Sequence, residues 1–289
     1  MLVLPTGEWV MVRRCEFCDS PVPADATTCP VCREEIAEET LERLLPLLKR
    51  PEAKEVRFMG IFGRLWGVIR RPSAAYRDIG QRPEAAGPFI IILVNAAIIA
   101  GLFIALSSKV TAIVPLNATL GTTIEANVLV SPHGSYFFII ALIGMLPSIM
   151  MGLVYLIIGT AFAHFAFKLA GGSGGKMKTL SIIGYSMLPV VLLRLLSIII
   201  VLAVIPGYPT PVDFSSTEAL TTITPALVTF AYESAVWSII DIITTGGFLW
   251  AGFLLIFGIR EAHDTSTIWA VFVSIICTTI LILTFWQAH

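Results

Sequence analysis

Four cysteines carry the clearest chemistry in the chain. Cys15, Cys18, Cys29 and Cys32 form two CxxC turns, with ten residues between them, inside "CEFCDSPVPADATTCPVC". Each turn offers two thiolates, and a short connecting hairpin folds them into one tetrahedral S4 site suited to zinc. A pair of disulfides and a rubredoxin-like iron site are the alternatives. A reducing compartment disfavours the first, and so short a connection disfavours the second. Four cysteine ligands close the coordination shell, so a bound Zn2+ is expected to hold a small folding unit together and to catalyse nothing.

A second chemistry would rest on Arg194 and Asp241, which lie deep in long apolar runs. A central Arg or Asp costs about 2.5–3.5 kcal/mol to insert into a bilayer, so each needs a reason to be there. Counted from Leu180, Arg194 lies about 21 Å along its helix at 1.5 Å per residue. Counted from Ala235 on the opposite side, Asp241 lies about 9 Å down, or roughly 21 Å from the far face of a 30 Å core. The matching depths predict an Arg194–Asp241 ion pair between antiparallel helices. It would fix helix register or serve a transport or relay step. Nucleophilic catalysis would have to draw on Ser186, His164 and His263, which fall near one membrane face. "GYSML" around Ser186 lacks the second glycine of GxSxG, and HExxH and Walker sequences are absent. The chain is expected not to be an enzyme.

The elements that position these residues follow from composition. The 289 residues are 56% hydrophobic and 13% charged, with a mean hydropathy of +0.85. Soluble domains carry about 25% charge, so this is an all-α integral membrane protein. A net charge of −1 gives no reason to expect nucleic acid as a partner. The segment before Cys15 places its arginines after its apolar residues and makes a poor signal peptide. Met11 offers a second candidate start, which would make the first ten residues an extension. Cys277 stands alone in an apolar run.

Five runs reach the roughly 20 residues needed to cross a hydrocarbon core. They cover about 87–107, 144–169, 180–205, 235–259 and 267–286, within a membrane domain of residues 81–289. Of the 19 Lys and Arg, 13 precede the first run and Lys168, Lys176, Lys178 and Arg260 lie in alternate loops. The positive-inside rule then predicts five spans, a cytoplasmic N-terminus and an external C-terminus. Residues 135–143 become a helical or partly embedded lead-in. Trp237 and Trp286 are expected at the outer interface and Trp269 at the inner one. The two long outer loops would form short strands or flexible covers, and Asn117–Ala118–Thr119 makes a glycosylation acceptor or a chance tripeptide. Pro189 removes the backbone bond to Tyr185 and predicts a kink in the third span. Asn95 and His164 are single polar residues expected to hydrogen-bond across helices.

Residues 36–80 read as cytoplasmic and helical. Ile36, Leu41, Leu44, Leu45 and Leu48 form a stripe interrupted by Pro46. Phe58, Ile61, Phe62, Leu65, Trp66 and Ile69 recur at the spacing of one helical face, with Arg57, Arg64, Arg70 and Arg71 elsewhere on the surface. An apolar face flanked by basic residues beside a span predicts an interfacial helix on anionic membrane lipid. Pro72 ends that helix, and Ser73 is expected to cap a short one through Tyr76.

The cysteine pattern at residues 1–35 resembles a zinc ribbon, with Asp19 and Arg33 where glycine commonly follows each CxxC. Further on, "RRPSAAYRDI", "HFAFKLAGGSGGKMKTLSIIGYS", "GYSMLP" and "FGIREAHDTST" resemble, as an ordered set, the Yip (Ypt/Rab-interacting protein) membrane-domain family from about Phe58 to the end. That resemblance implies a five-span helical domain with a cytoplasmic N-terminus. Its trafficking members are associated with small GTPases and vesicle budding. Here a ribbon replaces their acidic and aromatic cytosolic segment, so the resemblance does not extend GTPase partnership to this chain. The resulting expectation is a non-enzymatic membrane adaptor recruiting a cytosolic protein through the ribbon, with room for a homo-oligomer. The competing class is a small-solute or ion transporter or channel using the Arg194–Asp241 pair.

Overall fold

The computed structural model describes residues 2–3, 9–10, 12–15, 18, 20–23, 29–33, 58–117, 122–169, 174–214, 217–263 and 265–287. The stripe expected over residues 36–48, Arg57, Asp19 and most of the glycine-rich loop lie outside these residues. At the N-terminus, β1 (Leu2–Val3) pairs antiparallel with β2 (Trp9–Val10), and β3 (Val12–Arg14) with β4 (Pro21–Pro23). The second hairpin carries the first CxxC at its turn, with the Cys15 amide donating to the Ser20 carbonyl at 2.9 Å.

The rest is helical. Two short helices, α1 (Ile61–Arg70) and α2 (Pro72–Gln81), precede the first long one, α3 (Ala86–Ser107). Then come α4 (Gly134–Leu169), α5 (Lys176–Ser186), α6 (Leu188–Val204), α7 (Thr217–Glu233), α8 (Ala235–His263) and α9 (Thr267–Gln287). Five units are long and apolar enough to cross a membrane: α3, α4, α5 with α6, α8, and α9. Their bounds follow the five apolar runs, with α4 taking in the whole lead-in as one helix of 36 residues. The third unit is broken at Met187, and Pro189 falls in the first turn of α6, where its missing N–H costs nothing.

The bundle has two different ends. At one, α1 and α2 form a helical hairpin packed against α3, α5 and α8. At the other, β5 (Thr111–Asn117) pairs with β6 (Thr122–Asn127) and, in parallel, with β7 (Val212–Asp213), making a three-stranded sheet. The loops expected as strands or covers thus contain this sheet and, unexpectedly, the helix α7. An aromatic cluster joins them to the bundle: Phe137 is fully buried, stacked on Phe103 and edge-on to Phe214. Trp237 belongs to this cluster, 8% exposed, with its ring 4.8 Å from that of Tyr232.

The helical hairpin also corrects the sequence expectations. Arg71 is the N-cap of α2, and Ser73 lies inside that helix, which runs on to Gln81 rather than stopping at Tyr76. Arg64, expected on the surface, is 4% exposed, whereas Phe62 and Trp66 are 80% and 66% exposed. The reason lies in the helical period. Positions 61, 64, 65 and 68 share the inward face, and 62 and 66 share the outward one.

Candidate functional site

In the N-terminal hairpins the four cysteine sulfurs all lie within 4.8 Å of one another. Cys15 and Cys32 Sγ are 3.6 Å apart, as are Cys18 and Cys29 Sγ. Tetrahedral coordination with metal–sulfur bonds of about 2.3 Å requires sulfur–sulfur separations of about 3.8 Å, and the four thiols fit that requirement. No disulfide joins them. The Ser20 hydroxyl and amide hydrogen bonds lower the Cys18 pKa to about 6, and the Cys32 amide lowers that of Cys29. Both effects favour the thiolates a metal needs. Arg33, at the place of the second knuckle glycine, adopts φ 59°, and its amide donates to the Cys29 carbonyl at 2.9 Å. The turn keeps the left-handed conformation that favours glycine, although arginine occupies it.

The segments that carry the family resemblance meet at the helical-hairpin end. Arg64 Nε donates to Asp78 Oδ2 at 2.6 Å, and its Nη1 lies 2.8 Å from Glu84 Oε1. Burial works against the Arg64 charge, but these two carboxylates outweigh it and raise its pKa. Tyr185 donates its hydroxyl proton to Glu84 Oε1 at 2.6 Å, and Ser181 Oγ both donates to the Glu84 carbonyl and accepts from its amide. Beside this group, Arg77 donates through Nε and Nη2 to Glu261 Oε2, while Arg260 Nη2 reaches Glu261 Oε1 at 2.9 Å. Tyr76, fully buried, meets Ser186 at 2.7 Å across 110 residues of sequence. Burial raises the Tyr76 pKa far above its usual value, which keeps the phenol neutral.

Ser186 therefore bonds Tyr76, while the two histidines meet elsewhere. His164 Nδ1 and His263 Nε2 each lie 3.1 Å from Thr179 Oγ1. Close backbone approach makes these contacts possible. A Cβ added at Gly184 would overlap Pro88, and one added at Gly87 would overlap the Tyr185 ring. Arg64, Asp78, Glu84 and Glu261 were not foreseen as a cluster from the sequence. The available signal was an arginine at an apolar-stripe position of α1.

Within the apolar length, Arg194 Nη1 donates to Asn95 Oδ1 at 2.8 Å. Helical side chains lean toward the N-terminus, which lets an arginine on α6 reach back to a residue seated earlier in α3. Asp241 is buried on α8. The Tyr232 pKa is raised by burial and by the charge of Asp241, and lowered by that of Arg194, so both fields converge on one hydroxyl at the end of α7. Asn117 closes β5, and its acceptor tripeptide continues outside the described residues.

Among known proteins, a family model described as the Yip1 domain matches residues 66–287, more than half of the chain. No curated protein and no solved structure matches. The matched region contains all five long apolar helices and the signature segments that converge on the helical hairpin, while Arg64 lies just outside it. The chain belongs to the Yip1-domain family, as an integral, multi-pass membrane protein with a four-cysteine cluster ahead of that domain.

Proposed function

We propose that this protein is a non-enzymatic membrane adaptor: the bundle anchors the chain in lipid, and a zinc-loaded ribbon recruits a cytosolic protein. The observation that carries this reading is how the polar side chains of the helical-hairpin end are used. Arg64, Asp78, Glu84, Tyr185, Arg77 and Glu261 direct their bonds at one another, which suits a rigid docking end better than a substrate site. The cysteine cluster has the same closed character, while Pro30, Val31 and Arg33 beside it are exposed to a partner. In this reading the helical-hairpin end is cytoplasmic and the sheet end external, as the Lys and Arg excess before α3 favours. Affinity capture from detergent extract tests it, using the intact chain and a chain lacking residues 1–50. A partner held by the intact chain alone is expected; identical captures from both would sink the proposal.

Inside the membrane we infer an Arg194–Asp241 ion pair that fixes helix register, with Asn95 as a further ligand of the guanidinium. Asp241→Asn should lower membrane yield, and additional loss of Arg194 should restore part of it. Normal yield of the single variant would count against the pair. Transport of a small solute or ion is the second reading, favoured by the break at Met187 near an intramembrane arginine. Loss of flux in vesicles at normal protein level, on replacing Arg194 or Asp241, would select it.

A further inference from the structure

The outward face of the helical hairpin is apolar where a water-exposed helix would be polar. Phe62 and Trp66, one turn apart on α1, are 80% and 66% exposed, and Phe58, in the segment just ahead of the helix, is 54% exposed. The helix α1 has 10 residues, about 15 Å, too short to cross a bilayer. Its depth is nevertheless fixed. Arg64, in its middle, is bound to Glu84, two residues before the first span begins. Leu65 and Ile69 pack into the same cluster as Ile91, which lies inside that span, and Tyr185. These inward contacts hold α1 against the start of α3 and leave Phe62 and Trp66 turned away from the bundle.

Three cations flank these aromatic side chains. Arg70, Arg71 and Arg82 are exposed, and the Arg82 guanidinium carbon lies 3.6 Å over the Phe58 ring. Arg64 is not among them, because its charge is engaged inside by Asp78 and Glu84. Aromatic side chains with adjacent guanidinium groups, held at the level where a span begins, match the boundary between acyl chains and phosphate headgroups.

We propose that α1 lies in this boundary, inserts Phe62 and Trp66, with Phe58 just ahead of the helix, among the acyl chains, and selects anionic phospholipid through Arg70, Arg71 and Arg82. The buried Arg64 pairs act as the anchor that aims the helix. Lipid contact by α1 requires no partner of the ribbon, so the two proposals stand or fall separately. The test places p-benzoylphenylalanine at position 62 of the full chain, in nanodiscs of phosphatidylcholine with a minority of phosphatidylglycerol, and identifies photoadducts by mass spectrometry.

Phospholipid adducts are expected, with phosphatidylglycerol enriched about fivefold over its share of the bilayer. The triple variant R70Q/R71Q/R82Q should keep the adducts and lose the enrichment. Raising the salt concentration on the unaltered arginines should lower the enrichment as well, which serves as the second measurement if the triple variant folds poorly. Adducts to protein segments in place of lipid would overturn the insertion. Enrichment that survives both arginine loss and high salt would overturn the headgroup selection.

Discussion

The two ends of the bundle hold the same helices together by different physics. At the helical-hairpin end the cross-links are ionic and directional: Arg64 with Asp78 and Glu84, Arg77 and Arg260 with Glu261, Tyr76 with Ser186. At the sheet end they are apolar and shape-dependent: Phe137, Phe214, Leu227, Val201 and Trp237 fill one cluster beneath strands β5 to β7. A buried ion pair contributes little over a well-packed apolar substitute, but leaving one partner alone is costly. The ionic end should therefore fail on changes of charge that preserve shape. The apolar end should tolerate changes that preserve volume.

The largest effect is expected from Asp78→Asn, which keeps the side chain's size and takes half the compensation from a 4% exposed arginine. Leaving a buried charge uncompensated costs about 3–5 kcal/mol, and with Glu84 still beside Arg64 the loss should fall at the lower end, read as a lower melting temperature of the detergent-solubilised protein. Combining it with Arg64→Met should recover part of the loss, since the half-compensated cation is then gone. A single variant that melts normally would erase the distinction between the two ends.

Next in size is Gly184→Ala. The added methyl would meet Pro88 at the crossing of α5 and α3, which positions Tyr185 for Glu84. Overpacking of this kind costs about 1–3 kcal/mol by the same melt. At the other end, Leu227→Met changes a fully buried side chain at nearly constant volume and should cost less than about 1.5 kcal/mol. If it costs as much as Asp78→Asn, the sheet end is as exacting as the ionic one.

These variants also mark what was legible in the sequence. The five spans were, because an uninterrupted apolar run of bilayer length is seldom compatible with anything but a membrane helix. The cysteine cluster was, because its spacing is short and local. The ionic end was not: Asp78 is 14 residues from Arg64 but Glu261 is 184 from Arg77, and such pairings depend on how the helices assemble. The expectation that Arg64 faces outward followed the usual behaviour of arginine. Its position beside Ile61, Leu65 and Val68 on one face was the stronger signal. The helix α7 was hidden for another reason, since Thr217–Glu233 is rich in threonine and contains Pro225, both poor helix formers. Packing of Ile223, Leu227 and Ala231 under the sheet overrides that local preference.

The smallest effect is expected outside both ends, in the ribbon, and it runs in the stabilising direction. Arg33 holds φ 59° in the knuckle where glycine is usual. Arginine incurs a steric cost there that glycine avoids, although glycine's more flexible unfolded chain offsets part of the gain. Arg33→Gly should therefore stabilise the ribbon by about 0.5–1 kcal/mol. Metal binding is coupled to folding in such units, so the gain should appear as a few-fold tighter hold on zinc in competition with a chelator. The melting of the membrane bundle should stay where it was, since among the described residues the hydrogen bond of Arg33 is to the Cys29 carbonyl within the knuckle. A shift in bundle melting with no change in zinc retention would show that the knuckle serves the helical end instead of the metal.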